Sequence, residues 1–177
     1  MLLEADWVLP ITGPVLEGGA VLVRDGRIAE VGPAAELRAR YEAEPVRSFP
    51  RCVLMPGLVD AHTHLEYSVF HGFSPPSGFG AWMLRLLLAR RKLSMDDYAL
   101  SARWGAEECV RSGITCIADT SFGGLTTLRA IGETGLRGRV YVEVFGLDDM
   151  RLPTTMERVQ AQLVRLQKDR TPLAEVG

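Results

Sequence analysis

Three histidines fall within ten residues, and two of them are spaced for metal binding. His62 and His64 are separated by one threonine at the end of an apolar run that begins at Leu58. Side chains at positions i and i+2 of a β-strand point to the same face, with Cα atoms about 6.6–7 Å apart. Two imidazoles in this arrangement can bind one cation at Zn–N distances of about 2.0–2.1 Å. The spacing predicts a metal site at His62 and His64; the alternative is a chance pair of ordinary polar histidines.

The first fifty residues have the pattern of a small β region. Asp25-Gly26 separates two apolar runs, over residues 20–24 and 27–31. Asp-Gly in this position favours a type I′ hairpin turn, in which both central residues need positive φ. A short helix is predicted over residues 34–41.

From residue 53 onward, strands alternate with helices. Strands are predicted over residues 58–62, 114–119, 139–145 and 173–177, and helices over 79–87, 125–134 and 155–169, with a further helix opened by a capping box at Ser94 and Asp97. This alternation predicts a parallel sheet with right-handed crossovers. In such folds the carboxyl ends of the strands carry the chemistry, and His62 and His64 fall at such an end.

Composition excludes several classes of protein. Apolar residues make up 47% of the chain and charged residues 24%, which is typical of globular proteins. A formal net charge of −2 gives no electrostatic basis for binding nucleic acid or an anionic membrane. Three scattered cysteines favour a reducing, cytoplasmic setting over a disulfide framework.

The segment VLMPGLVDAHTHLE, residues 53–66, resembles the first barrel strand of the amidohydrolase superfamily. It is most similar to the group of cytosine, adenosylhomocysteine and aminofutalosine deaminases and triazine hydrolase. RSGITCIAD, residues 111–119, resembles the second barrel strand. The resemblance implies an α/β fold: a partial TIM (β/α) barrel of three to four strands over residues 53–177, preceded by a small N-terminal β-sandwich portion over residues 1–52.

The resemblance also implies the chemistry. His62 and His64 would hold one divalent metal, zinc or alternatively iron, which lowers the pKa of a bound water. The implied reaction is hydrolytic deamination of a small aminated purine or pyrimidine-type ring; hydrolysis of an amide or C–Cl bond is the alternative.

The remaining catalytic residues of that family lie on later barrel strands, so none is assigned in this chain. We therefore expect the N-terminal segment of a longer enzyme, inactive when isolated, which forms a homo-oligomer or associates through its open barrel edge. A different possibility is a non-catalytic remnant that needs a partner chain.

Three residues are candidates for substrate binding. The resemblance places Glu66 where a substrate amine or hydroxyl binds, and the alternative is a solvated loop carboxylate. His71 is a loop histidine that could contact a substrate. Trp82, with Phe79, could line a pocket for a flat ring, although their helical spacing with Leu86 favours core packing.

Two carboxylates and a basic cluster have open roles. Asp119 could orient a metal-bound histidine through its second ring N–H, or cap a turn. Glu143, in an apolar strand, needs a partner if it is buried, in an active site or an internal ion pair. The basic residues around Arg90 favour a solvated helix face.

Overall fold

The Asp25-Gly26 pair forms the predicted hairpin turn. It joins strand β2 (Leu16–Arg24) to strand β3 (Arg27–Pro33), and the two strands pair in antiparallel register. The backbone φ angles are +50° at Asp25 and +71° at Gly26. Positive φ at both central positions is what a type I′ turn requires, so the hairpin prediction is confirmed.

The structure is a computed structural model that describes residues 1–73, 78–144 and 152–177. The chain forms two compact units, Met1–Pro56 and Gly57–Gly177. In the first unit, β1 (Leu2–Val8) pairs in antiparallel fashion with β2 and in parallel with β4 (Val46–Leu54). Helix α1 (Ala34–Arg40) contributes Leu37 to a core that also contains Leu2, Ala20 and Leu22.

The resemblance to the first barrel strand begins at Val53, but residues 53 and 54 lie in β4. Val53 pairs with Trp7 and Leu54 with Val8, so these two residues belong to the sheet of the first unit. The strand that carries the histidines begins at Leu58, as predicted. Pro56 separates the two because it has no N–H to continue a ladder of hydrogen bonds.

The second unit contains the predicted parallel sheet. Its strands are β5 (Leu58–Thr63), β6 (Ile114–Ser121), β7 (Arg137–Val142) and β8 (Ala174–Val176). They lie side by side in chain order, and every neighbouring pair is parallel. This is the order of consecutive strands in a (β/α) barrel. Strand β7 ends at Val142, earlier than predicted, and Phe145 lies outside the described residues.

Helices connect these strands. After β5 come a 3₁₀ helix (Leu65–Phe70), α2 (Phe79–Arg90) and α3 (Met95–Arg111); α4 (Leu125–Thr134) follows β6, and α5 (Leu152–Leu166) follows β7. The predicted capping box is confirmed, since Ser94 and Asp97 each accept a hydrogen bond from the other's backbone N–H. Among the described residues, no helix has the length and apolar character required to cross a bilayer.

One face of the parallel sheet is buried and the other is open. Ile117 and Val140 pack against Leu128 and Ile131 of α4, and all four are buried. On the strands' other face, Val59 is 68% exposed and Tyr141 is 41% exposed. In a closed barrel this second face is the interior, which is filled by side chains of the other strands.

Helix α2 departs from the predicted core packing. Leu86 is buried, but Phe79 is 73% exposed and Leu87 is 42% exposed. The helical spacing correctly groups these residues on a helix, but no described element covers the whole apolar face. Core packing is therefore wrong for Phe79, whereas Trp82 is half-buried.

Candidate active site

The imidazole rings of His62 and His64 are in edge-on contact at the carboxyl end of β5. Their centroids are 5.0 Å apart and the ring planes cross at 87°. His62 is exposed and His64 is half-buried. Thr63, between them, pairs with Asp119 of β6. The sequence spacing thus brings the two rings together as predicted, and their role as metal ligands stays a prediction.

The donor set formed by the two histidines is chemically suitable for a divalent metal but small. Within the described residues, no hydrogen bond engages a ring nitrogen of either histidine, so these nitrogens are available as ligands. In the same part of the chain, no group of three or more His, Cys, Asp or Glu side chains is arranged to hold a metal ion. A catalytic zinc uses three protein ligands. The two histidine rings could therefore supply at most two of these three ligands.

The backbone that follows His64 is held by a buried aspartate. Asp119 is fully buried; one carboxylate oxygen accepts a 2.7 Å hydrogen bond from the Leu65 N–H and the other accepts 2.9 Å from the Thr127 hydroxyl. Burial raises the pKa of Asp119 to about 6, against the lowering effect of these two hydrogen bonds. Asp119 therefore acts on the backbone next to His64, and within the described residues it makes no hydrogen bond to a histidine ring.

Glu66 is also buried and already hydrogen-bonded. It is 4% exposed; Oε1 accepts from the Thr126 hydroxyl, and Oε2 accepts a 3.0 Å hydrogen bond from the Phe122 N–H. The prediction of a solvated loop carboxylate is therefore wrong. The carboxylate instead ties the 3₁₀ helix to the start of α4, and its role in substrate binding stays a prediction.

Helix α3 packs against the 3₁₀ helix and forms hydrogen bonds with its backbone. The Ser101 hydroxyl accepts a 2.8 Å hydrogen bond from the Val69 N–H and donates to the Glu66 carbonyl at 2.9 Å. A Cβ at Gly105 would lie 2.1 Å from Ser68 Oγ, so glycine permits the close approach of the two elements. These supporting residues were not predicted, although a serine beside Ala102 is a polar interruption of an apolar helix face.

An aromatic ring covers one face of His64. Tyr67 stacks on it at a centroid distance of 5.5 Å and an interplanar angle of 19°. Arg90 Nη1 donates a 3.0 Å hydrogen bond to the Tyr67 hydroxyl, and its guanidinium lies 4.4 Å from the Phe122 ring centroid. Burial raises the pKa of Tyr67, so the phenol is protonated at neutral pH. The prediction of a solvated role is wrong for Arg90, which is half-buried among aromatic rings.

A cleft of about 390 Å³ brings three candidates together. His64, His71 and Trp82 all line it, together with Tyr67, Phe70 and Leu86. The Trp82 indole N–H donates a 3.1 Å hydrogen bond to the Phe73 carbonyl, which fixes the orientation of the ring. His71 is exposed. Glu66 does not line this cleft.

Glu143 lies just beyond the end of β7. It is half-buried, and its N–H donates a 2.9 Å hydrogen bond to the Ser121 carbonyl. Its side chain lines a second cleft, of about 370 Å³, with Phe122, Arg158 and Gln162. Glu143 makes no ion pair with any residue that the structure describes, so the predicted internal ion pair is not found there.

Comparison with known proteins identifies the family. A model described as the amidohydrolase family matches residues 53–172, which include both histidines and the sheet's first three strands. The chain belongs to the amidohydrolase family. A shorter match, to an imidazolonepropionase-like composite domain of bacteria, covers residues 19–41 of the N-terminal sheet.

Amidohydrolase relatives match almost the whole chain but are much longer. This chain is 30% identical over 162 residues to a 5-methylthioadenosine/S-adenosylhomocysteine deaminase of Moorella thermoacetica. The match covers 91% of this chain and 37% of the relative. The chain spans about a third of the length of the curated relatives it matches.

Solved structures share the fold. Helicobacter pylori aminofutalosine deaminase in complex with methylthio-coformycin superposes with a TM-score of 0.76 at 19% identity, covering 99% of this chain and 42% of that one. A Xanthomonas campestris adenosine deaminase with bound zinc gives 0.71 at 22% identity, covering 99% and 41%. At these identities the similarity establishes the partial barrel fold alone.

Proposed function

We propose that this chain is the N-terminal segment of a metal-dependent hydrolase, in which His62 and His64 hold one divalent metal. The observation that carries the proposal is the 5.0 Å separation of two ring centroids at the end of a parallel strand. Zinc is our first choice, because a structural neighbour contains it, and iron is the alternative. A metal bound in such a site lowers the pKa of a coordinated water toward neutrality.

The proposed reaction is hydrolytic deamination of an aminated purine or pyrimidine-type ring. Relatives that match 69–91% of the chain are named as deaminases of adenosine derivatives, which supports this choice over amide or C–Cl hydrolysis. The cleft beside His64 supports it too, because the rings of Tyr67, Phe70 and Trp82 offer flat apolar surface to a heterocycle.

Within this proposal His71 and Trp82 contact the substrate. His71 presents an exposed imidazole to the cleft, and Trp82 presents an indole whose orientation is fixed. Substrate binding by Glu66 would require competition for its carboxylate. A substrate donor would have to compete with the Phe122 N–H or the Thr126 hydroxyl, which already donate to it.

The open side of the sheet is the proposed association surface. Among the described strands, only β7 pairs with β8, and Val59 and Tyr141 are exposed on the open face. An unpaired parallel edge and an apolar barrel interior both favour association with further β structure, in a second copy or another polypeptide. A cytoplasmic setting stays a prediction.

Zinc titration of the purified chain tests the metal site. We expect binding that is lost in the double variant His62→Ala/His64→Ala and strongly weakened in each single variant. His71→Ala is the matched control for metal affinity, since it removes the third histidine without touching the pair. If the double variant bound zinc like the parent chain, the proposal would be refuted.

Activity provides a second test. The proposed site has two protein ligands where a catalytic zinc uses three, so we expect no ammonia release from aminated purines by residues 1–177 with added zinc. Turnover above that of the double histidine variant would show that the site is complete, contrary to this expectation.

A further inference from the structure

His64 belongs to a series of stacked side chains that crosses three elements. Tyr67, in the 3₁₀ helix, lies nearly parallel to the His64 ring, at 19° and 5.5 Å. Arg90, at the end of α2, donates a hydrogen bond to the Tyr67 hydroxyl. The same guanidinium lies 4.4 Å from the ring centroid of Phe122, in the connection between β6 and α4.

The His64 ring has few other restraints. Its backbone leaves β5 with φ −134° and ψ 79°, at the start of the 3₁₀ helix. No hydrogen bond among the described residues reaches either of its ring nitrogens, so packing alone sets the angle of the ring. The edge-on contact with His62 and the face-on contact with Tyr67 are the aromatic contacts that define it.

Tyr67 is itself held firmly. Its ring is half-buried, and its hydroxyl accepts from Arg90 at 3.0 Å. Arg90 is in turn fixed at its backbone, because its carbonyl accepts a hydrogen bond from the Tyr98 hydroxyl at 3.2 Å. An arginine that stacks on one ring and donates to another makes a stiff link between them.

We propose that Tyr67 is a positioning residue for His64, and that it acts through the face of its ring. The stacked phenol holds the imidazole at the angle at which its free nitrogen can share a cation with His62. The consequence for metal affinity rests on the proposed function, whereas the orientation of the ring does not. Contacts that orient a ligand without touching the metal commonly change affinity by about tenfold or more.

The test compares two substitutions of one residue. Tyr67→Phe keeps the ring that stacks and loses the Arg90 hydrogen bond, and Tyr67→Leu loses the stack. Tyr41→Leu is the matched control, because Tyr41 belongs to the other unit, where its ring lies under Arg24 at 5.0 Å. Each purified chain is titrated with zinc, and the imidazole protons of His64 are recorded by NMR without metal, after unfolding curves have established that each variant is folded.

We expect Tyr67→Leu to bind zinc about tenfold more weakly, Tyr67→Phe to stay within about twofold of the parent chain, and Tyr41→Leu to change stability only. The ring current of a stacked phenol should shift the His64 ring protons upfield in the parent chain and in Tyr67→Phe, and not in Tyr67→Leu. If Tyr67→Leu did not fold, Tyr67→Met would replace it with the same expected results, since it also removes the ring that stacks on His64.

Unchanged His64 signals in Tyr67→Leu would overturn the proposal, as would equal losses of affinity in the two Tyr67 variants. If zinc binding did not depend on His62 and His64 at all, the proposed function would fail. The positioning role of Tyr67 would then be decided by the ring-proton shifts, which need no metal.

Discussion

The Asp119 carboxylate accepts a 2.7 Å hydrogen bond from the backbone N–H of Leu65, the residue that follows His64. The two residues are 54 positions apart, and the bond joins the carboxyl ends of neighbouring strands β5 and β6. Its other oxygen accepts from Thr127 of α4. The direction in which the chain leaves the histidine strand is therefore set by a side chain of the next strand.

Replacing Asp119 by alanine should be costly. The change leaves the Leu65 N–H and the Thr127 hydroxyl without a partner in a buried place, where each unsatisfied donor costs about 1–3 kcal/mol. We expect the free energy of unfolding, measured with urea, to fall by about 2–4 kcal/mol. Asp169→Ala, at an exposed aspartate, is the control and should change it by less than about 0.5 kcal/mol. Equal effects of the two substitutions would contradict this account of Asp119.

Much of the local structure could be predicted because its causes are local. The Asp25-Gly26 turn and the capping box at Ser94 each depend on residues within four positions of one another. The same is true of the adjacent rings of His62 and His64, which follow from strand geometry. The order of the parallel strands follows from the alternation of strands and helices.

The surroundings of the histidines could not be predicted in the same way. The hydrogen-bond partners of Glu66 are residues 122 and 126. The Arg90 guanidinium packs on the ring of Phe122, 32 positions further along the chain. A charged side chain within a basic or polar stretch gives no local sign that it is buried. Thr126 and Thr127 carry no charge and lie in an apolar helix, so nothing in the sequence marks them as partners of two buried carboxylates.

The capping box of α3 should contribute to stability in a pH-dependent way. Ser94→Ala removes the acceptor of the Asp97 N–H and should lower the free energy of unfolding by about 1 kcal/mol. The side-chain hydroxyl of Ser94, and then its backbone N–H, lower the pKa of Asp97. Because the folded pKa is below the ordinary value, this stabilisation is present above that value and is lost as the pH falls through the lowered pKa.

Two neighbouring aspartates allow a controlled measurement of this effect. Asp97→Asn should reduce the fall in thermal midpoint between neutral and acid pH, whereas Asp96→Asn, in the same helical turn but outside the box, should leave it closer to that of the parent chain. The same profile in both variants would mean that the box contributes nothing to the acid sensitivity.

A second pH-dependent contact lies in the N-terminal unit. Glu4 is 5% exposed, and its pKa is lowered, chiefly by the hydrogen bonds that Arg38 donates. Its contribution to stability is therefore present above the ordinary pKa of glutamate and is lost as the pH falls through the lowered value. Glu4→Gln should therefore lower the thermal midpoint more at pH 7 than at pH 3. Glu17→Gln, at an exposed glutamate of β2, should have little effect at either pH.

Two helical glycines should respond to alanine in opposite directions. A Cβ at Gly105 of α3 would lie 2.1 Å from Ser68 Oγ and 3.2 Å from Leu65 Cδ2, so Gly105→Ala pushes the 3₁₀ helix away from its support. Such overpacking costs about 1–3 kcal/mol, more than the gain of about 1 kcal/mol in helix propensity. At Gly132 of α4 the nearest atom, Thr171 Cγ2, would be at an ordinary 3.5 Å.

Gly132→Ala should therefore be neutral or stabilise the fold by up to about 1 kcal/mol, while Gly105→Ala destabilises it. Urea unfolding measures both. Adding Ser68→Ala to Gly105→Ala should recover part of the loss, because it removes the nearest clashing atom. A loss in Gly105→Ala that this second change did not reduce would place its cause away from Ser68, and stabilisation by Gly105→Ala would contradict the close approach of α3 to the segment that carries Tyr67 and follows His64.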